Sequence, residues 1–151
     1  MLAETTAILD HNHILTVQEL WQATKRIETY QEDMAEQTIL RLMELDSNTR
    51  KSLRLPSLRN PRFEVIAKAI IQIIEDVVSM LGPDLDEFAE ELHCVCQLCE
   101  KEGIHARLLG EATAAGLAML LEDFRPEHRQ VWQTTFDYLA TKMTMVSEFG
   151  F

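Results

Sequence analysis

Between Pro61 and Leu81 the apolar residues recur at helical spacing and crowd most of the circumference. Phe63, Val65, Ile66, Ala69, Ile70, Ile73, Ile74, Val77, Val78 and Leu81 fit the i, i+3, i+4, i+7 pattern of a helix. The run is rich in β-branched residues, but its length and spacing favour helix over strand. A helix that is apolar on most sides has to be covered on most sides. The spacing therefore predicts a central helix packed by several others. Lys68, Gln72, Glu75 and Asp76 interrupt the run, so it is expected to lie buried in protein and not in a bilayer. Asn60-Pro61 marks its start, with proline at a tolerated first-turn position, and Gly82-Pro83-Asp84 breaks the chain after it.

The remaining stretches read as further helices. Residues 1–15 read as a loosely held arm, with His11 and His13 on an exposed polar tail. Thr16-Val17-Gln18-Glu19 has the form of a capping box. A stripe of Val17, Leu20, Trp21, Thr24 and Ile27 follows it. A second helix takes over near Tyr30, with Met34, Thr38, Ile39, Leu42 and Met43 on one face. Asp46-Ser47-Asn48-Thr49 is a turn or a new cap before a short helical piece through Leu53. The segment from Leu55 to Pro61 holds two of the four prolines and is the clearest loop. Asp84 to Glu87 resembles a second capping box, opening a helix to about Glu102 with Leu85, Phe88, Leu92, Val95, Cys96 and Cys99 inward. Ala112, Ala114, Ala115, Gly116 and Ala118 make the next helix smooth, from about His105 to Asp123, and permit close approach of a neighbour. Phe124-Arg125-Pro126-Glu127 opens the last, with Val131, Trp132, Thr135, Phe136, Leu139, Met143 and Val146 as its stripe. No hairpin signal or repeat interrupts the series. The expectation is one all-α domain of six to seven helices over residues 16–151.

Charge narrows the partners. Fourteen basic residues against 25 acidic ones leave a net charge of −11, which argues against nucleic acid or an anionic membrane as the main partner. The carboxylates cluster at Asp84-Asp86-Glu87-Glu90-Glu91 and at Glu100 and Glu102. They are expected to form solvated faces; a functional use would be docking of a basic partner. Residues 1–10 carry Glu4 and no basic residue, which is not the composition of a secretory or transit peptide.

The stretch that bears most on function is His93-Cys94-Val95-Cys96-Gln97-Leu98-Cys99-Glu100-Lys101-Glu102-Gly103-Ile104. It reads as a helix end and a glycine stop, with Lys101 suited to the negative end of the helix dipole. Three cysteines on one helix are badly placed for a disulfide framework, so free thiols in a reducing, intracellular compartment are expected. Cys96 and Cys99 spell CxxC, but toward the wrong helix end for a lowered thiol pKa. His93, Cys96 and Cys99 could offer zinc ligands along one helix side, but no second set of ligands exists elsewhere. No Ser/His/Asp or Cys/His pairing, phosphate-binding glycine loop or catalytic carboxylate pair is visible, and no enzymatic activity is expected.

Three segments, taken in order, resemble the globin superfamily, closest to single-domain bacterial and protist globins. Leu42-Met43-Glu44-Leu45-Asp46-Ser47-Asn48-Thr49-Arg50-Lys51-Ser52-Leu53 resembles the globin helix end and turn that carry a haem-capping aromatic. Cys99 through Gly103-Ile104 resembles the spacing of ligand, glycine and isoleucine. Phe124-Arg125-Pro126-Glu127-His128-Arg129-Gln130-Val131-Trp132, with Phe136 and Leu139-Ala140, resembles the start of the globin C-terminal helix. The resemblance spans roughly Leu15 to Met145 and implies a globin-like fold. It puts Cys99 at the position of the iron-binding histidine, Leu53 at that of the haem-packing aromatic, and the distal position near Ile66.

Two functions are then expected to compete. In the first, the haem is lost and no cofactor is needed. The pocket is filled by Leu53, Ile66, Ile70 and their neighbours or holds an apolar ligand such as a fatty acid. The chain serves as a sensor or assembly subunit, with a protein partner or a second copy on its helix faces. In the second, haem is bound through Cys99, or through His93 after a helix shift, for oxygen or nitric oxide binding, redox sensing or electron transfer. The pocket candidates are Cys99, Leu53, Ile66, Ile70, His93 and Cys96, with Cys99 as iron ligand in the second case alone.

Overall fold

The computed structural model describes residues 11–47, 61–81 and 85–149. These form α1 (His11–Lys25), α2 (Tyr30–Leu45), α3 (Pro61–Met80), α4 (Ala89–Glu102), α5 (Leu109–Leu120) and α6 (Pro126–Phe149), with single 3-10 turns at Leu85–Phe88 and Ala106–Leu108. The protein is all-α; no strand occurs among the described residues.

Three boundaries depart from sequence expectation. α1 begins at His11, ahead of the capping-box pattern, so 11–15 are helical and Thr16 lies within the helix. Asp84-to-Glu87 does not open an α-helix: a 3-10 turn covers Leu85–Phe88 and α4 starts after it. The fifth helix also begins with a 3-10 turn and ends at Leu120, three residues short of Asp123. Elsewhere the local chemistry governs. Pro61 and Pro126 occupy first-turn positions, where the missing N–H has no intrahelical partner to lose. The Arg125 backbone N–H donates to His128 Nδ1 at 3.1 Å just ahead of α6. The predicted short helix through Leu53 and the loop from Leu55 lie outside the described residues, apart from Pro61.

The core forms around α3. Ile66, Ile70, Ile73, Ile74 and Val77 are fully buried, while Val65 is 49% exposed, so the apolar circumference is not covered on every side. α3 packs on α2 and α4, α2 lies along α5, and α6 closes the assembly against α1, α4 and α5. The α2–α5 approach is close because Gly116 faces α2. A Cβ there would come 2.8 Å from Met34 Sδ and 3.2 Å from Thr38 Oγ1. Arg41 of α2 also pairs with Glu111 of α5.

Both tryptophans are core anchors with their indole N–H groups satisfied, as buried indoles require. Trp132 donates to Thr113 Oγ1 at 2.7 Å and stacks on Phe136, with centroids 4.9 Å apart. Trp21 donates to Glu75 Oε1 at 2.8 Å and meets Tyr30 edge-on. Buried Thr24, Thr113 and Thr135 reach back to the carbonyls of Leu20, Leu109 and Val131, which lets a hydroxyl sit within an apolar stripe.

Candidate functional site

Helix α4 carries the three cysteines and ends as its sequence predicts. Gly103 adopts φ 72°, a left-handed conformation that costs glycine nothing. The Ile104 N–H donates to the Cys99 carbonyl at 2.8 Å, and that of Gly103 to the Glu100 carbonyl at 3.2 Å. Two open carbonyls at the helix end are thereby satisfied.

Leu92, Val95, Cys96 and Cys99 form the buried face. Cys99 is 2% exposed and lies in the same continuous core as Cys96, Ile66 and Ile70. His93 is half-buried and Cys94 exposed. At about 100° per residue, His93 lies roughly 100° around the helix from Leu92, on the flank of the buried face. Cys94, Cys96 and Cys99 all remain thiols. Leu53 lies outside the described residues.

Electrostatics makes Cys99 a poor anion. Burial pushes its thiol up to about 12, helped by the neighbouring Cys96 and Glu100. Removing a sulfur from water penalises the thiolate far more than the thiol. At neutral pH Cys99 is a small apolar core residue with its proton in place. Globin irons are held by imidazole, and thiolate ligation elsewhere needs the deprotonated sulfur. Without a metal, burial thus disfavours the thiolate that such ligation uses at Cys99, and His93 lies on the flank of the same helix. Among the described residues, no three His, Cys, Asp or Glu side chains gather to hold a metal ion.

The acidic stretches divide. Glu87, Glu90, Glu91 and Glu100 are exposed. Glu102 corrects the expectation of a solvated face: it is 5% exposed, at the last turn of α4. Asp84 and the Asp86 side chain lie outside the described residues.

Sequence reading missed a second region. A groove of about 1260 Å³ opens where the end of α1, the start of α2 and one face of α3 diverge. Five carboxylates and two lysines line it. Lys25 Nζ binds Glu75 at 3.0 Å, which also accepts the Trp21 indole. Tyr30, Phe63 and Ala67 give the groove an apolar, half-buried floor. The signal for it was available: Glu32, Asp33 and Glu36 crowd the first turns of α2, where they favour the helix dipole and read simply as helix-start residues.

No helix among the described residues is long and apolar enough to cross a membrane. No protein-family model, curated protein or solved structure matches the chain.

Proposed function

We propose that this chain is a globin-like helical module whose haem position has become ordinary core, acting as a sensor or assembly subunit through protein contacts. The observation that carries the reading is the burial of Cys99 in one core with Ile66 and Ile70. In the ligand position implied by the resemblance stands a side chain that behaves as an apolar filler. The pairing of helices supports the globin-like part. First packs with last, second with third and fifth, and fourth with third and last, the kind of pairwise packing by which globin helices enclose a pocket.

In this reading the protein binds no haem and catalyses nothing. Its output is the surface that its helices present to a partner or a second copy. An apolar ligand such as a fatty acid is the one small molecule that surroundings like those of Ile66 and Ile70 would accept without a polar partner.

The test is an absorption spectrum of the purified protein, repeated after haemin is added and the excess removed. The expected result is no saturable Soret band. A one-to-one band overturns the proposal, and its loss in Cys99→Ala would assign the ligand to Cys99. Lipid extraction and mass spectrometry then ask whether an apolar ligand travels with the protein.

A further inference from the structure

We propose that the groove between α1, α2 and α3 is a docking site for a cationic amphipathic helix of a partner protein. The inference rests on the reading of the chain as a protein-binding module. It concerns a face of α3 remote in chemistry from Cys99.

Three properties of the groove select that occupant. The first is size: at about 1260 Å³ it exceeds the roughly 300–1000 Å³ of small-molecule sites. The second is its floor. Tyr30 and Phe63 present aromatic surface, and Ala67 and Ile71 lie beside them on the groove wall. A water-filled groove leaves that surface wet, and a helix with an apolar stripe would cover it. The third is charge. Glu75 is already bound by Lys25 and Trp21, whereas Glu32, Glu36 and Glu64 form no salt bridge among the described residues, and Lys68 is the one other lysine lining the groove, so carboxylates outnumber cations there. Glu32 and Glu36 stand four residues apart on α2, a spacing at which like charges repel. Lysines or arginines beside the apolar stripe of an incoming helix relieve that repulsion and meet Glu64 on the facing wall. A small polycation would answer the carboxylates but leave Phe63 and Tyr30 uncovered.

The experiment uses the full chain and a labelled Lys/Leu amphipathic helix of about four turns. A counterpart with glutamate for lysine serves as the negative probe. Fluorescence anisotropy is read at about 50 and about 300 mM NaCl. The expected result is saturable one-to-one binding of the cationic helix alone. A combined Glu32→Lys, Glu36→Lys, Glu64→Lys variant should weaken it by more than about tenfold, or about 1.4 kcal/mol. Phe63→Ser should weaken it by about fivefold. A control reversing exposed charges on α4, Glu87→Lys with Glu90→Lys and Glu91→Lys, should change it by less than about twofold. Equal weakening by the two triple variants overturns the proposal, since the attraction is then only to net charge. So does absence of binding, or binding indifferent to Phe63→Ser and displaced by spermine, which would mark a small-polycation site. All altered side chains are exposed or half-buried, and thermal melts check that each variant folds. A haem band in the spectral test would overturn the proposed function and leave this result standing. Failure of the helix to discriminate would overturn the groove alone.

Discussion

One side of α3 carries Ile66, Ile70, Ile73 and Ile74, all without solvent exposure. Another side carries Phe63, Glu64, Lys68, Gln72 and Glu75, all lining an open groove. The two regions treat charge in opposite ways. Toward the cysteine helix the core accepts a sulfur only in its neutral form, and Cys99 holds its proton far above the ordinary thiol range. In the groove, five carboxylates gather, with Glu32 and Glu36 at a spacing where like charges repel. The lesson concerns where chemistry can happen in this molecule. The buried isoleucine side of α3 is closed to solvent, and the accessible, charged surface lies elsewhere on the same helix.

The contrast breaks most directly if a charge is placed in each region. Ile70→Asp puts a carboxylate where a fully buried side chain stood. It should cost about 4 kcal/mol or more, because an unpaired buried charge has neither water nor partner. Glu36→Lys in the groove should change stability by no more than about 0.5 kcal/mol. Urea unfolding of the two variants measures both. If Ile70→Asp is mild, the core side is wetter than its burial implies, and the case for a filled pocket fails.

The same contrast shows how much the sequence revealed. α3 was legible because ten apolar residues at helical spacing leave little choice of structure, and the end of α4 because Gly103 needs a left-handed turn that few residues tolerate. Inward placement of Leu92, Val95, Cys96 and Cys99 followed from the same periodicity. Two things were not legible. Glu102 reads as surface by residue type, and only the tertiary packing of the last turn of α4 buries it. The groove has no local signature, since it exists only where three helices diverge, and three of its carboxylates, Glu32, Asp33 and Glu64, sit in first helical turns where they read simply as helix-start residues. The start of α1 was misplaced for a related reason: the capping-box pattern at Thr16 is real in spelling, but the helix continues through it from His11.

Helix α2 forms one wall of the groove, and Gly116 of α5 packs against it. Gly116→Leu would push a side chain into Met34 and Thr38, where a Cβ alone already comes within 2.8 Å. The expected cost is about 2 kcal/mol, typical of overpacking where a flexible methionine can yield but a packed helix cannot. Displacement of α2 should also weaken peptide binding in the groove, although no groove residue is altered. Loss of stability without any change in binding would mean that α2 is held from the α3 side and not by α5.

The protonated state of Cys99 gives the core side a pH signature. The thiol titrates near its ordinary 9.0 when unfolded and near about 12 when folded. The folded protein therefore holds the proton more tightly. That contribution is whole below pH 9 and is lost as pH rises toward 12. Over that window stability should fall by ~1.4 kcal/mol per pH unit more in the wild type than in Cys99→Ala. Urea midpoints of both proteins across the window isolate Cys99 from lysines and tyrosines, which both share. Equal slopes would mean that the sulfur is solvated and could reach the thiolate form that haem ligation requires.

The smallest effect expected is at Glu75, where groove and tryptophan anchor meet. Its carboxylate accepts from Trp21 at 2.8 Å and from Lys25 at 3.0 Å. Glu75→Gln keeps an oxygen for the indole and removes only the ion pair. Both partners of that pair are about a third exposed, so the loss should stay below about 0.5 kcal/mol and shrink further in salt. Glu75→Leu removes both contacts and leaves the N–H of a 1% exposed tryptophan without its acceptor. That should cost about 1–2 kcal/mol and be insensitive to salt. The two substitutions thus separate charge from hydrogen bonding at one atom pair. If Gln proves as costly as Leu, the ion pair holds α1 to α3, and a cationic partner in the groove would loosen it. If Leu alone is costly, the Trp21 hydrogen bond holds α1 to α3 regardless of charge, and the remaining carboxylates are left to the partner.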